Sequence, residues 1–119
     1  MYKLTVKGDF AASHSLRNYE GKCKNLHGHT WKVDVGISGK ELNATGMLVD
    51  FKEIKNSLKN VLEQFDHQHL NDLEPFQKIN PTSENIAKVI FDKISKENAC
   101  AVSEVTVWES ENASATYSP

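Results

Sequence analysis

Trp31, Val33, Val35 and Ile37 alternate with Lys32, Asp34 and Gly36, and this period-two stretch restricts the fold more than any other feature of the chain. Such alternation buries one face of a strand and wets the other. Tyr2, Leu4 and Val6 repeat it against Lys3, Thr5 and Lys7, and Val105, Val107 and Glu109 repeat it against Thr106 and Trp108. A weaker fourth strand is expected over 113–117. Between the two strand pairs the period changes. Phe51, Ile54, Leu58, Val61, Leu62 and Phe65 fall at helical spacing behind Asp50, with Glu53 placed for a capping box. Ile86, Val89, Ile90 and Ile94 make a second apolar stripe behind Thr82 or Ser83 as cap, with Asn98 as its stop. Residues 9–26 and 66–80 read as loop. The order ββααββ predicts an α+β fold: an antiparallel four-stranded sheet with two helices on one face. So small a sheet leaves two edge strands, which invite pairing with another copy.

The chain has 119 residues, enough for one domain spanning 1–119 and too few for two. Apolar residues at 39% can build a core, which excludes a disordered chain. No window approaches the roughly 18 apolar residues of a membrane span. The opening MYKLTVKGDF lacks the apolar run of a secretory signal, so a cytoplasmic location is expected. A formal net charge of -2 provides no global positive excess for nucleic acid. Arg17, Lys22 and Lys24 still lie close enough in sequence to meet a small anion. Cys23 and Cys100 are too few for a disulfide scaffold and read as free thiols.

The chemistry lies in the histidines. His27-Gly28-His29 leads into the second strand, where side chains two apart share a face. Two imidazoles side by side grip a metal, and catalytic zinc takes three protein ligands with a fourth position open. His14 is the third ligand expected, because an antiparallel neighbour brings the end of the first strand near His27. Three imidazoles with no carboxylate leave the ion at its full charge, a strong Lewis acid.

Cys23, four residues before His27, has three readings that stay open. It can be a fourth ligand closing a structural site, a thiolate base flanked by Lys22 and Lys24, or a small buried residue. Asp66-His67 can be an oriented imidazole for proton transfer, or a helix end with a favourable histidine. His69 is a loop residue or a spare ligand. Glu109 closes an apolar stripe and needs a partner: an ion pair, or a two-point bond to an amidine-like ring edge. Glu84 suits the first turn of a helix.

Taken in order, these pieces resemble a known family. They are Phe10-x-Ala-Ala-x-His14, Cys23-x-x-x-His27-Gly-His29, Met47-Leu-Val-Asp50-Phe51, Asp66-His67-x-x-Leu70-Asn71, Asn80-Pro-Thr-x-Glu84-Asn85, and Glu109 after Val-Trp. Together they resemble the 6-pyruvoyl-tetrahydropterin synthase family over nearly the whole chain, most closely its 6-carboxy-tetrahydropterin synthase branch in queuosine biosynthesis. The resemblance implies the tunnelling fold (T-fold), homohexamers whose sheets join into a barrel, and sites at subunit interfaces. It implies Zn2+ held by His14, His27 and His29, and Cys23 as the proton-abstracting base rather than a ligand. Asp66 and His67 would be the dyad that returns a proton. Glu109 would anchor the pterin edge, and Thr82, Ser83 and Glu84 would line the pterin pocket.

The implied reaction is lysis of 7,8-dihydroneopterin triphosphate to the 6-carboxy product, acetaldehyde and triphosphate. Arg17, Lys22 and Lys24 are candidates to meet the triphosphate, against a simple solvated loop. Three residues between Cys23 and His27 favour the carboxy branch over the 6-pyruvoyl enzymes. A branch using glutamate ranks lower: Glu20 is near, but Cys23 stands in its expected place. His69 departs from the family, which often has tyrosine there. The alternatives are the 6-pyruvoyl enzyme on the same substrate and a non-catalytic zinc-stabilised assembly module.

Overall fold

β1 (Tyr2–His14) and β2 (His27–Gly39) pair antiparallel along their full length, from Tyr2 opposite Gly39 to His14 opposite His27. The computed structural model describes residues 1–97 and 102–119, so Asn98 and Cys100 lie outside the described residues. β1 runs well past the point at which the sequence reading turned to loop at residue 9. The reason is register: Phe10, Ala12 and His14 continue the buried face begun at Val6, opposite Trp31, His29 and His27 of β2.

α1 (Phe51–Glu63) starts at Asp50, whose carboxylate accepts from the Lys52 N–H at 2.9 Å. It buries Ile54, Leu58, Val61 and Leu62 and leaves Phe51 exposed, so the apolar stripe begins one turn later than its spacing suggested. Gly8 permits the approach of α1 to β1: a Cβ there would stand 2.9 Å from Leu62 Cδ1. α2 (Ser83–Glu97) is capped by Thr82, whose hydroxyl accepts from the Asn85 N–H at 3.1 Å. β4 (Val102–Ser110) and β5 (Ala113–Tyr117) complete the chain.

Among the described residues the sheet has five strands, not four, in the order β3-β1-β2-β4-β5. The addition is β3 (Gln68–His69), which lies parallel to β1 beside Ala12 and Ser13. His67 makes this turn in the left-handed region (φ 58) and donates its N–H to Ala11 O at 2.6 Å. The fold class is α+β as expected, with a mixed rather than purely antiparallel sheet. Both helices cover the face that carries Phe10, Trp31, Val33, Val35, Val105 and Val107, all buried. The opposite face is polar. Neither helix is long and apolar enough to cross a membrane.

Candidate metal centre

The register of β1 on β2 builds the site. His14 lies opposite His27, and His29 lies opposite Ala12, whose short side chain leaves room for the ring. All three imidazoles project from the face that forms the core. Their ring centroids stand 4.5 Å (His14–His27), 5.2 Å (His14–His29) and 4.8 Å (His27–His29) apart. Trp31 is the floor, edge-on to His14 and His29 and held by its indole N–H bond to Ala12 O at 3.3 Å.

Hydrogen bonds fix two of the rings. His14 Nδ1 is 2.8 Å from Pro81 O, and His27 Nδ1 is 2.7 Å from Asn25 O. A carbonyl only accepts, so both Nδ1 atoms carry the hydrogen. In neutral rings both Nε2 atoms then present lone pairs, and these face each other at 2.9 Å. Burial holds the His14 pKa below its ordinary value, so the ring is neutral at neutral pH. His29 is lowered in the same way, burial outweighing the nearby Glu109 carboxylate.

His29 Nε2 is buried and makes no hydrogen bond. It lies 3.0 Å from Glu109 Oε1, close but without hydrogen-bond geometry. The other Glu109 oxygen accepts a long bond from Ser83 Oγ at 3.4 Å. His14, His27, His29 and Glu109 thus offer four ligand atoms within 4.8 Å of one another. Two facing lone pairs and an orphaned nitrogen fit a divalent cation, with second-partner carbonyls orienting the ligands. β4 places the Glu109 carboxylate against the histidine trio. Val105, Val107 and Glu109 share one strand face, and that face meets the end of β2.

A family model described as 6-pyruvoyl tetrahydropterin synthase matches residues 3–119. The chain belongs to the 6-pyruvoyl tetrahydropterin synthase family. A 6-carboxy-5,6,7,8-tetrahydropterin synthase of Haemophilus influenzae is 32% identical over 98% of this chain and 99% of its own. The Bacillus subtilis protein of the same name is 33% identical over 99% and 86%. The solved structure of Caenorhabditis elegans 6-pyruvoyl tetrahydropterin synthase superposes with a TM-score of 0.92, at 28% identity, over 99% of this chain and 95% of that one.

Other residues of the family pattern fall in three places. Cys23 lies in a short helical turn, Lys22–Lys24, before β2, and its side chain is outside the described atoms. Asp66 and His67 form a dyad, Asp66 Oδ2 to His67 Nδ1 at 3.0 Å, exposed at the outer edge of β1 and apart from the histidine cluster. Asp66 also accepts from the Ala11 N–H at 2.9 Å, which with the His67 bond to Asp66 holds its pKa below the ordinary aspartate value. Of the 82–84 segment only Ser83 reaches the cluster; Thr82 caps α2 and Glu84 is exposed.

His69 Nδ1 lies 3.0 Å from Ser13 Oγ, on β3 against β1. Lys22 and Lys24 are exposed, whereas the Arg17 guanidinium donates to Ile79 O and Asn71 O. Sequence reading missed the two carbonyls, of Pro81 and Asn25, that orient the rings. Backbone oxygens carry no residue signature; only the proline, which forces an extended neighbour, hinted at a fixed segment there.

Proposed function

We propose that this family member is a zinc-dependent lyase converting 7,8-dihydroneopterin triphosphate to 6-carboxy-5,6,7,8-tetrahydropterin, acetaldehyde and triphosphate, with uptake of one water, as a step toward queuosine. The observation that carries this reading is the convergence of His14, His27 and His29 beside Glu109. The names of the Haemophilus and Bacillus relatives support the carboxy product, as does the three-residue gap between Cys23 and His27. The Caenorhabditis neighbour favours a second reading, the 6-pyruvoyl enzyme on the same substrate.

His14, His27 and His29 would hold the ion, an all-imidazole set suited to zinc. Once bound, it supplies Lewis acidity to the substrate's side-chain hydroxyls and so acidifies the neighbouring C–H bonds. Cys23 takes the proton from that carbon, its thiolate favoured by Lys22 and Lys24 on either side. His67, steadied by Asp66, returns a proton to the ring. Glu109 accepts the amino-pyrimidinone edge through its two oxygens, of which Oε2 takes a long bond from Ser83 and Oε1 lies 3.0 Å from His29 Nε2.

Asp66 and His67 stand at a sheet edge away from the cluster of their own chain, which supports sites shared between subunits. β1 before Ala11 has no strand partner on its outer side among the described residues, and β5 is the other edge. Both edges favour ring closure with further copies, and we assign a homohexamer built from one synthase-like domain, 1–119.

Incubation with 7,8-dihydroneopterin triphosphate and mass analysis of the products tests the assignment. The carboxy pterin with equimolar acetaldehyde is expected. Pyruvoyl product without acetaldehyde would establish the second reading. No turnover at full zinc occupancy would leave a zinc-stabilised assembly module.

A further inference from the structure

We infer that Asn71 and Asn80 are positioning residues for the metal centre: their side-chain amides act as a substitute strand partner that holds Ser15 and Arg17 in place and so aims the His14 imidazole. Each amide grips both backbone groups of one residue. The Ser15 N–H donates to Asn71 Oδ1 at 2.9 Å, and Asn71 Nδ2 donates to Ser15 O at 2.9 Å. The Arg17 N–H donates to Asn80 Oδ1 at 2.8 Å, and Asn80 Nδ2 donates to Arg17 O at 2.9 Å. Residues two apart on an extended chain present their N–H and C=O to the same side. The two asparagines therefore copy the pairing that a neighbouring strand would give, just where β1 has run out of strand at His14. The chain then turns at once, through Asn18 in the left-handed region (φ 57).

The same clamp locates the carbonyl that orients His14. Pro81 has no N–H and cannot anchor itself by donating. Its neighbour Asn80 does the anchoring, through the Arg17 clamp and through its own carbonyl, which accepts from Asn85 Nδ2 at 2.8 Å and Thr82 N–H at 2.9 Å. Pro81 O then meets His14 Nδ1 at 2.8 Å. Arg17 closes the strap from the other side, on Ile79 O and Asn71 O. Both ends of the His14 hydrogen bond are thus tied to one another by neutral amides. An aspartate at 80 would keep the acceptor and set a second oxygen against Arg17 O.

The inference rests on the zinc reading above for its consequence, but its first readout needs no metal. In metal-free protein, above the histidine titration range, long-range proton–nitrogen NMR correlations should show His14 as a single tautomer with hydrogen on Nδ1. Asn80→Asp and Asn71→Ala should each release the second tautomer. Both should also weaken cobalt(II) binding by about 10-fold or more and alter the cobalt absorption bands. Asn60→Ala, on the exposed side of α1, should change neither. If both variants fold and keep the wild-type tautomer and cobalt affinity, the inference is overturned; so it is if wild-type His14 carries its hydrogen on Nε2. If the tautomer is fixed in wild type and released in the variants while no cobalt or zinc binds, the positioning role stands and the zinc reading fails.

Discussion

His14 Nε2 and His27 Nε2 face each other at 2.9 Å, and where both rings are neutral neither has a proton to give, because each donates its Nδ1 hydrogen to a backbone carbonyl. Without a cation between them the arrangement is unfavourable, and the neighbouring His29 Nε2 is buried without a hydrogen bond.

Metal should stabilise the protein strongly. At free zinc about 100 times the dissociation constant, the gain is about 2.7 kcal/mol. Chelator should lower the melting temperature of wild type, and zinc should restore it. In His14→Ala the response to either should be lost. Thermal denaturation with and without chelator checks this.

Cys23→Ala should leave zinc stoichiometric and lower turnover by about 10²–10⁴-fold, the usual share of a positioned general base. Metal analysis and steady-state assay of the same preparation separate this from a ligand role, in which zinc would be lost together with activity.

Glu109→Gln keeps the shape and removes the charge. The histidines should retain the ion, while the charge-assisted contact to substrate, worth about 1.5–3 kcal/mol, is lost. Zinc content should be unchanged and kcat/KM should fall about 10–100-fold, one decade for each ~1.4 kcal/mol. A comparable loss of zinc would instead make Glu109 a ligand.

These predictions lean on side chains whose chemistry was readable from the chain. His14, His27 and His29 could be brought together on paper because alternation and antiparallel pairing fix which face a side chain takes. Glu109 could be placed on the face of Val105 and Val107 for the same reason, but not against His29, which depends on how β4 ends beside β2. The extension of β1 through His14 was hidden by Gly8 and Asp9, which break the apolar rhythm although the pairing continues. β3 was hidden because two residues carry no periodicity; a left-handed turn at His67 makes it. Arg17 looked free for a phosphate, and the carbonyls of Ile79 and Asn71 that occupy it leave no trace in sequence. Side-chain chemistry is written in residue types, whereas backbone partners emerge only with the fold.

Asp66 offers a test of that edge. The Ala11 N–H, followed by the His67 bond, holds its folded pKa below the ordinary value of 3.8. The unfolded chain therefore takes up the proton first on acidification. The stabilisation is complete above 3.8 and is lost as pH falls through the folded value. Urea unfolding of wild type over this acid range should show a steeper loss than Asp66→Asn. Parallel acid profiles would mean that the carboxylate does not hold β1 to the β3 turn.

X-ray absorption at the zinc edge of the purified, ligand-free protein tests the central claim most directly. Nitrogen and oxygen donors alone, three of them imidazole, at one zinc per chain, is the result predicted here. A sulfur donor in the coordination shell, or no bound zinc, would contradict it.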